Sequence, residues 1–263
     1  MKSVLIFDSG VGGLSVYKEI AQLIPEQHIV YAFDNAAFPY GELADDILIQ
    51  RVCGMVASLC NERDIALVVI ACNTASTLVL PHLRSLLSIP VVGVVPAIKP
   101  AAAMSKAKHI GLLATPATVN RTYTKQLVEE FAPDCHVEMV GSTELVQMGE
   151  GKLRGIPVDK KILKQVLMPF INKTDCIVLG CTHFPLLRDE IEEILGDQCL
   201  VIDSGKAIAN RVDTLLKERG ALSTSFRDKK HLAFSSAPVK DEEALNHELG
   251  KLGFSAIKRA PTF

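Results

Sequence analysis

The chain has no block of like charge. Its 263 residues carry 28 basic and 30 acidic side chains, a net charge of -2, with neither a basic stripe nor an acidic tail. Nucleic acid and anionic membrane surfaces are therefore poor candidates for the main partner. No apolar run approaches the roughly 20 residues of a membrane-spanning helix. The first apolar stretch, residues 4–7, stops at Asp8, too soon for a signal-peptide core. No cysteine pair has zinc-finger spacing, and seven irregularly spaced cysteines without a secretory signal read as reduced thiols of a cytoplasmic protein. No metal is expected; a zinc site from Cys176, Cys181 and His183 is the weaker alternative, because 176 and 181 would flank one strand. Low-complexity segments and flexible linkers are absent as well.

What the chain does have is alternation. Short continuous apolar runs recur at residues 4–7, 29–33, 66–71, 91–95, 110–114, 137–140, 176–179, 200–202 and 232–234, as buried parallel strands do. Amphipathic stretches lie between most of them. Ile47, Val52, Met55, Val56 and Leu59 fit one helical face, as do Leu127, Val128 and Phe131. The pattern predicts an α/β fold with mainly parallel sheets.

The alternation also repeats. Cys72 and Cys181 each follow an apolar run and precede small polar residues and a helical pattern. Ser9 precedes Cys72 by 63 positions and Thr115 precedes Cys181 by 66. Such a period is too long for a solenoid and predicts two similar α/β domains facing each other across a cleft. The expected boundaries give a discontinuous first domain, 1–96 plus 206–263, and a second domain, 97–205.

A thiol after a buried strand sits at the open end of a parallel sheet, where ligands bind. Core packing explains one buried cysteine, but it does not explain matched polar residues after two. Asn73 and Thr74 follow Cys72, and Thr182 and His183 follow Cys181; their amide, hydroxyl and imidazole groups are suited to a carboxylate or to a thiol's proton. The loop Asp8-Ser9-Gly10-Val11-Gly12-Gly13-Leu14 lacks a Walker lysine and the spaced final glycine of a dinucleotide site, so it suits a small carboxylate better than a nucleotide. Phe38-Pro39-Tyr40-Gly41 reads as a loop after the second strand. Thr115 and Thr118 open the second half's counterpart of the glycine loop, with helix capping the favoured role for Thr118. Glu150, between Gly149 and Gly151, reads as a solvated loop carboxylate. Cys53, Cys60, Cys135, Cys176 and Cys199 read as structural, and the remaining histidines as surface or satisfied groups.

Taken in order, Asp8-Ser9-Gly10-Val11-Gly12-Gly13-Leu14, Pro39-Tyr40-Gly41, Cys72-Asn73-Thr74-Ala75 and Gly180-Cys181-Thr182-His183-Phe184-Pro185 resemble the motifs of glutamate racemases, in the cofactor-independent aspartate/glutamate racemase superfamily. The resemblance covers nearly the whole chain. It implies two α/β domains and interconversion of L- and D-glutamate without a cofactor, feeding peptidoglycan synthesis, commonly as a homodimer. It makes Cys72 and Cys181 the catalytic bases, the first acting on D-glutamate and the second on L-glutamate. Asp8 is expected to assist Cys72, and His183 to assist Cys181. Asp8, Ser9, Pro39, Tyr40, Gly41, Asn73, Thr74 and Thr182 match substrate-contacting positions, Thr115, Thr118 and Glu150 more loosely. The segment before Glu150 departs from the family pattern. Two other readings stand beside this one: a related enzyme acting on aspartate or another small acid, and a non-catalytic protein whose lobes close on a small anion.

Overall fold

A computed structural model describes residues 2–223 and 230–263; residue 1 and residues 224–229, assigned from the sequence to the first domain, lie outside the described residues. The chain divides into two compact units, Met1–Val94 with Gly205–Phe263, and Val95–Ser204.

The first unit is built on strands β1 (Ser3–Asp8), β2 (Ile29–Phe33), β3 (Ile65–Ile70) and β4 (Val91–Gly93). The second holds β5 (His109–Ala114), β6 (His136–Gly141), β7 (Cys176–Leu179) and β8 (Leu200–Ile202). The chain then returns to the first unit for β9 (Leu232–Ser235) and β10 (Lys258–Arg259). Every strand pairing among the described residues is parallel. β1, β2, β3 and β7 are buried along their whole length, which is why they read as unbroken apolar runs rather than alternating ones.

Each sheet has the same internal wiring. The first runs β10-β9-β2-β1-β3-β4 and the second β6-β5-β7-β8. In both, the second strand of the unit lies on one side of the first and the third lies on the other. The order reverses between β1 and β3, and again between β5 and β7. At such a switch point the loops at the carboxyl ends diverge and open a crevice suited to a ligand. Cys72 follows β3 and Cys181 follows β7, so the repeat seen in the sequence is a repeat of topology.

The helix Asp45–Glu62 covers one face of the first sheet with Leu48, Val52, Met55, Val56 and Leu59. Ile47 was expected on that face but is 43% exposed, and Leu48 is fully buried in its stead. Leu48 stands four residues before Val52 and so shares its face, whereas Ile47, five before it, turns outward. In the second unit, Leu127, Val128 and Phe131 pack against a core of Ile98, Ala101, Ile110, Leu112 and Val178. β10 carries no apolar signal, since both its residues are exposed.

Candidate active site

Three neighbouring strand ends supply the cluster in the first unit. β1 ends at Asp8, β2 leads into Asp34, and β3 leads into Cys72 and the helix Asn73–Leu86. The buried Asp8 carboxylate ties the glycine loop together: Ser9 N donates to Oδ1 at 2.7 Å, and Gly13 N donates to Oδ2. Gly13 is tightly enclosed: an added Cβ would lie 3.0 Å from both Ala71 Cβ and the Tyr31 hydroxyl, so those neighbours would have to give by a few tenths of an ångström. The loop so held presents Ser9, whose Oγ lies 3.8 Å from Cys72 Sγ. Asn73 is buried beside that thiol, and its Oδ1 has no hydrogen-bond partner among the described residues. A buried amide oxygen left unpaired is an open acceptor for a donor brought by a ligand.

Tyr40 joins the same cluster from the loop after β2. It sits in a 3-10 turn, Tyr40–Glu42, behind the cis peptide Phe38-Pro39, with Gly41 in the turn itself. Its hydroxyl donates to Asp34 Oδ2 at 2.8 Å. Arg51 grips that carboxylate in bidentate fashion, Nε to Oδ2 and Nη2 to Oδ1, both at 2.7 Å, and Ser236 Oγ donates to Oδ1. Burial alone would raise the Asp34 pKa, but the hydrogen bonds from Arg51, Ser236 and Tyr40 and the Arg51 charge bring it below its usual value. The Tyr40 phenol is pushed well above 10 by burial first, then by Asp34 and by the charge of Cys72. Tyr40 is thus a neutral hydroxyl at physiological pH, fixed beside the thiol.

In the second unit the thiol lies beside an imidazole. Cys181 Sγ lies 3.7 Å from His183 Nδ1, and His183 Nε2 lies 2.8 Å from Glu150 Oε1. The other Glu150 oxygen accepts from Arg154 Nη1 at 2.6 Å. Burial of His183 favours the neutral ring, but its hydrogen bonds and charge interactions with Cys181 and Glu150 outweigh burial and hold its pKa well above 6.5. His183 is therefore an imidazolium near neutral pH, with one N–H directed to sulfur and the other to carboxylate.

Glu150 corrects the sequence reading. It belongs to the helix Glu144–Leu153 rather than to a loop, and it is buried. The flanking glycines suggested a turn, but Gly149 serves close packing: an added Cβ would lie 3.0 Å from the His183 carbonyl oxygen. The signal that identifies Glu150 is the buried stripe Leu145, Val146, Gly149 and Glu150, which has helical spacing and carries the carboxylate inward. The threonines also exchange roles. Thr115, not Thr118, caps the helix Pro116–Asn120 by accepting from Thr118 N at 3.2 Å, and the two hydroxyls lie 2.9 Å apart. Thr115 directly follows β5, while Gly180 donates to Leu113 O at 2.7 Å, so Thr115 and Cys181 stand after adjacent strand ends. Thr74 and Thr182 are buried directly after their residues Asn73 and Cys181, and Pro39 is half-buried. The run after Cys181 begins with a 3-10 turn, Phe184–Leu187, before the helix Arg188–Leu195.

The zinc alternative fails on geometry. Cys176 starts β7 and Cys181 lies beyond its end, about 16 Å apart at the usual rise per residue. The contacts that sequence reasoning missed are Asp34 with Arg51 and Ser236, Glu150 with His183 and Arg154, and a surface group of His109, His136 and Glu138. No described helix is long and apolar enough to cross a membrane.

The comparisons with known proteins agree in one direction. The family model for Asp/Glu/hydantoin racemases matches residues 4–212. A glutamate racemase of Aliivibrio fischeri is 56% identical over 257 residues, covering 98% of this chain and 97% of that protein. One from Vibrio cholerae is 54% identical over 255 residues, covering 97% and 95%. Among solved structures, Escherichia coli glutamate racemase, in complex with L-glutamate and the activator UDP-MurNAc-Ala, matches with a TM-score of 0.93 at 43% identity over 100% of both chains.

Proposed function

The chain belongs to the Asp/Glu/hydantoin racemase family, and from that premise we propose that it interconverts L- and D-glutamate by a two-thiol proton transfer without a cofactor. The observation that carries the reading is the duplicated switch-point thiol: Cys72 with Ser9 at its side, and Cys181 with His183 at its side. The glutamate racemases of A. fischeri and V. cholerae and the L-glutamate complex of the E. coli enzyme support glutamate as the substrate.

The chemistry follows from stereochemistry. Inverting the α-carbon requires removing a proton from one face and delivering one to the other, which two bases do most directly. One sulfur begins as thiolate and the other as thiol. The thiolate takes the α-proton, the electron pair of the broken C–H bond delocalises into the α-carboxylate, and the opposite thiol protonates the carbon, leaving the two sulfurs with exchanged protonation. In this reading Cys72 deprotonates D-glutamate and Cys181 deprotonates L-glutamate. The loop amides and hydroxyls around Ser9, Thr74 and Thr182 receive the carboxylate charge that develops. The open acceptor Asn73 Oδ1 receives the substrate ammonium. His183, charged between Glu150 and Cys181, donates to the sulfur when it is anionic. Asp8 acts on Cys72 through the loop it holds.

Each enantiomer incubated in heavy water with the protein and no added cofactor is expected to gain deuterium at the α-carbon. Absence of exchange from folded, reduced protein favours a binding role, and equal or faster exchange on aspartate overturns glutamate as the substrate. We place the product D-glutamate in cytoplasmic peptidoglycan synthesis and the enzyme in a homodimer, as the family resemblance implies.

The first unit also has a cavity of about 530 Å³ lined by Arg84, Val91, Gly93, Ile208, Arg211 and Leu215. Two guanidinium groups on an open, otherwise largely apolar surface suit an anionic effector. The activator bound by the E. coli relative is of that chemical kind. Arg211→Ala is expected to weaken any activation by UDP-MurNAc-Ala at least tenfold in half-saturating concentration; unchanged activation excludes this cavity.

A further inference from the structure

The geometry points to a divalent transition-metal site at the amino ends of β5 and β6, formed by His109, His136 and Glu138. The parallel register sets His109 directly opposite His136. Glu138, two residues along β6, shares the face of His136. The two imidazoles meet edge to face with centroids 4.4 Å apart, and His136 Nε2 lies 3.8 Å from Glu138 Oε2. One donor atom from each of the three lies within 4.8 Å of the others.

A tetrahedral ion with bonds of about 2.0–2.1 Å needs donors roughly 3.3 Å apart. The His136 and Glu138 side chains are 66% and 38% exposed, so they have room to rotate inward and close the remaining gap. His109 is the anchored member. It is half-buried, and its Nε2 is buried with no hydrogen-bond partner among the described residues. A buried ring nitrogen left unpaired is unusual, and an ion or its bound water would supply the partner the protein does not.

Two imidazoles and one carboxylate suit zinc and its first-row neighbours, and suit calcium or magnesium poorly. The open positions would hold water. β6 is the outer strand of its sheet, so the ion would clip an edge strand to its neighbour. The run of β5 sets the site about 20 Å from Thr115 and the strand ends that carry Cys181. The role is therefore structural, and it goes beyond the racemase reading.

Because thiols compete for the same metals, Co²⁺ is the informative probe: sulfur ligation produces an intense near-ultraviolet charge-transfer band, while nitrogen and oxygen ligation does not. Chelator-treated protein is expected to bind one equivalent of Co²⁺ without that band and to melt at a higher temperature with it bound. His136→Gln and Glu138→Gln should each weaken this binding about tenfold or more and leave racemisation unchanged, which also shows that they fold. Binding equal to wild type in both variants, or bound cobalt accounted for entirely by the thiolate band, overturns the site.

Discussion

The Nε2 of His183 lies 2.8 Å from Oε1 of Glu150, and both residues are buried. This contact fixes the imidazole's orientation and keeps it charged beside Cys181. Its consequences are testable in kinetics and in stability.

Glu150→Gln keeps the shape but removes the charge that holds His183 protonated. The enantiomers have equal free energy in water, so kcat/KM should fall by the same factor in both directions, about 10- to 100-fold, below the full worth of a general acid. Stability changes with a definite sign. The folded pKa of His183 is raised above 6.5, so the stabilisation is fully present below pH 6.5 and is lost as pH rises through the folded value. Urea denaturation should show the variant's deficit largest below pH 6.5 and shrinking in alkali. A deficit independent of pH would contradict a charged His183.

Gly149→Ala sets two effects against each other. Alanine favours a helix by about 1 kcal/mol over glycine, but the new Cβ would lie 3.0 Å from the His183 carbonyl. Displacement of that backbone by a few tenths of an ångström should lower kcat/KM about tenfold, with little change in melting temperature. Full activity would mean that His183 tolerates the shift.

Arg51→Met strands the fully buried carboxylate of Asp34. Arg51 is partly exposed, so the cost belongs near the low end for a broken buried pair, about 3 kcal/mol. Tyr40 hangs on the same carboxylate, so KM for glutamate should rise as well. The Asp34 pKa is lowered from 3.8, so the pair's stabilisation holds above that pH and is lost as pH falls through the folded value. Chemical denaturation near pH 7 and steady-state kinetics check both parts.

His231 gives an acid-sensitive point away from the thiols. Burial first, then the nearby His28, lowers its pKa to about 4 from 6.5. The unfolded chain binds its proton more readily, so stability should decline as pH falls from 6.5 towards 4, by at most about 3 kcal/mol. Its Nδ1 accepts from Ile29 N at 3.2 Å, which only an unprotonated nitrogen does. His231→Gln should flatten the decline across that window, measured by urea midpoints; an unchanged slope would assign the acid sensitivity elsewhere.

The fold was legible because the strand pairings are parallel and the central strands are buried. Strands such as β1 and β3, covered on both faces, announce themselves as apolar runs. The thiols were legible for a related reason: each follows such a run, and strand ends are where parallel sheets carry chemistry. What stayed hidden depends on three-dimensional neighbours. Nothing local in Asp34 points to Arg51, which reaches it from the first covering helix. Glu150 looked solvated because glycines flank it, yet one of them packs closely against the His183 backbone. His109 and His136 looked scattered until strand register set them opposite each other. β10 could not be read, since two exposed basic residues carry no periodicity.

The most direct measurement is racemisation and α-proton exchange of each glutamate enantiomer by Cys72→Ala and Cys181→Ala, with folding confirmed by circular dichroism. A pair of sulfurs that trade roles across one carbon predicts that neither variant converts either enantiomer at a measurable fraction of the wild-type rate. Normal turnover with either sulfur removed would contradict the mechanism.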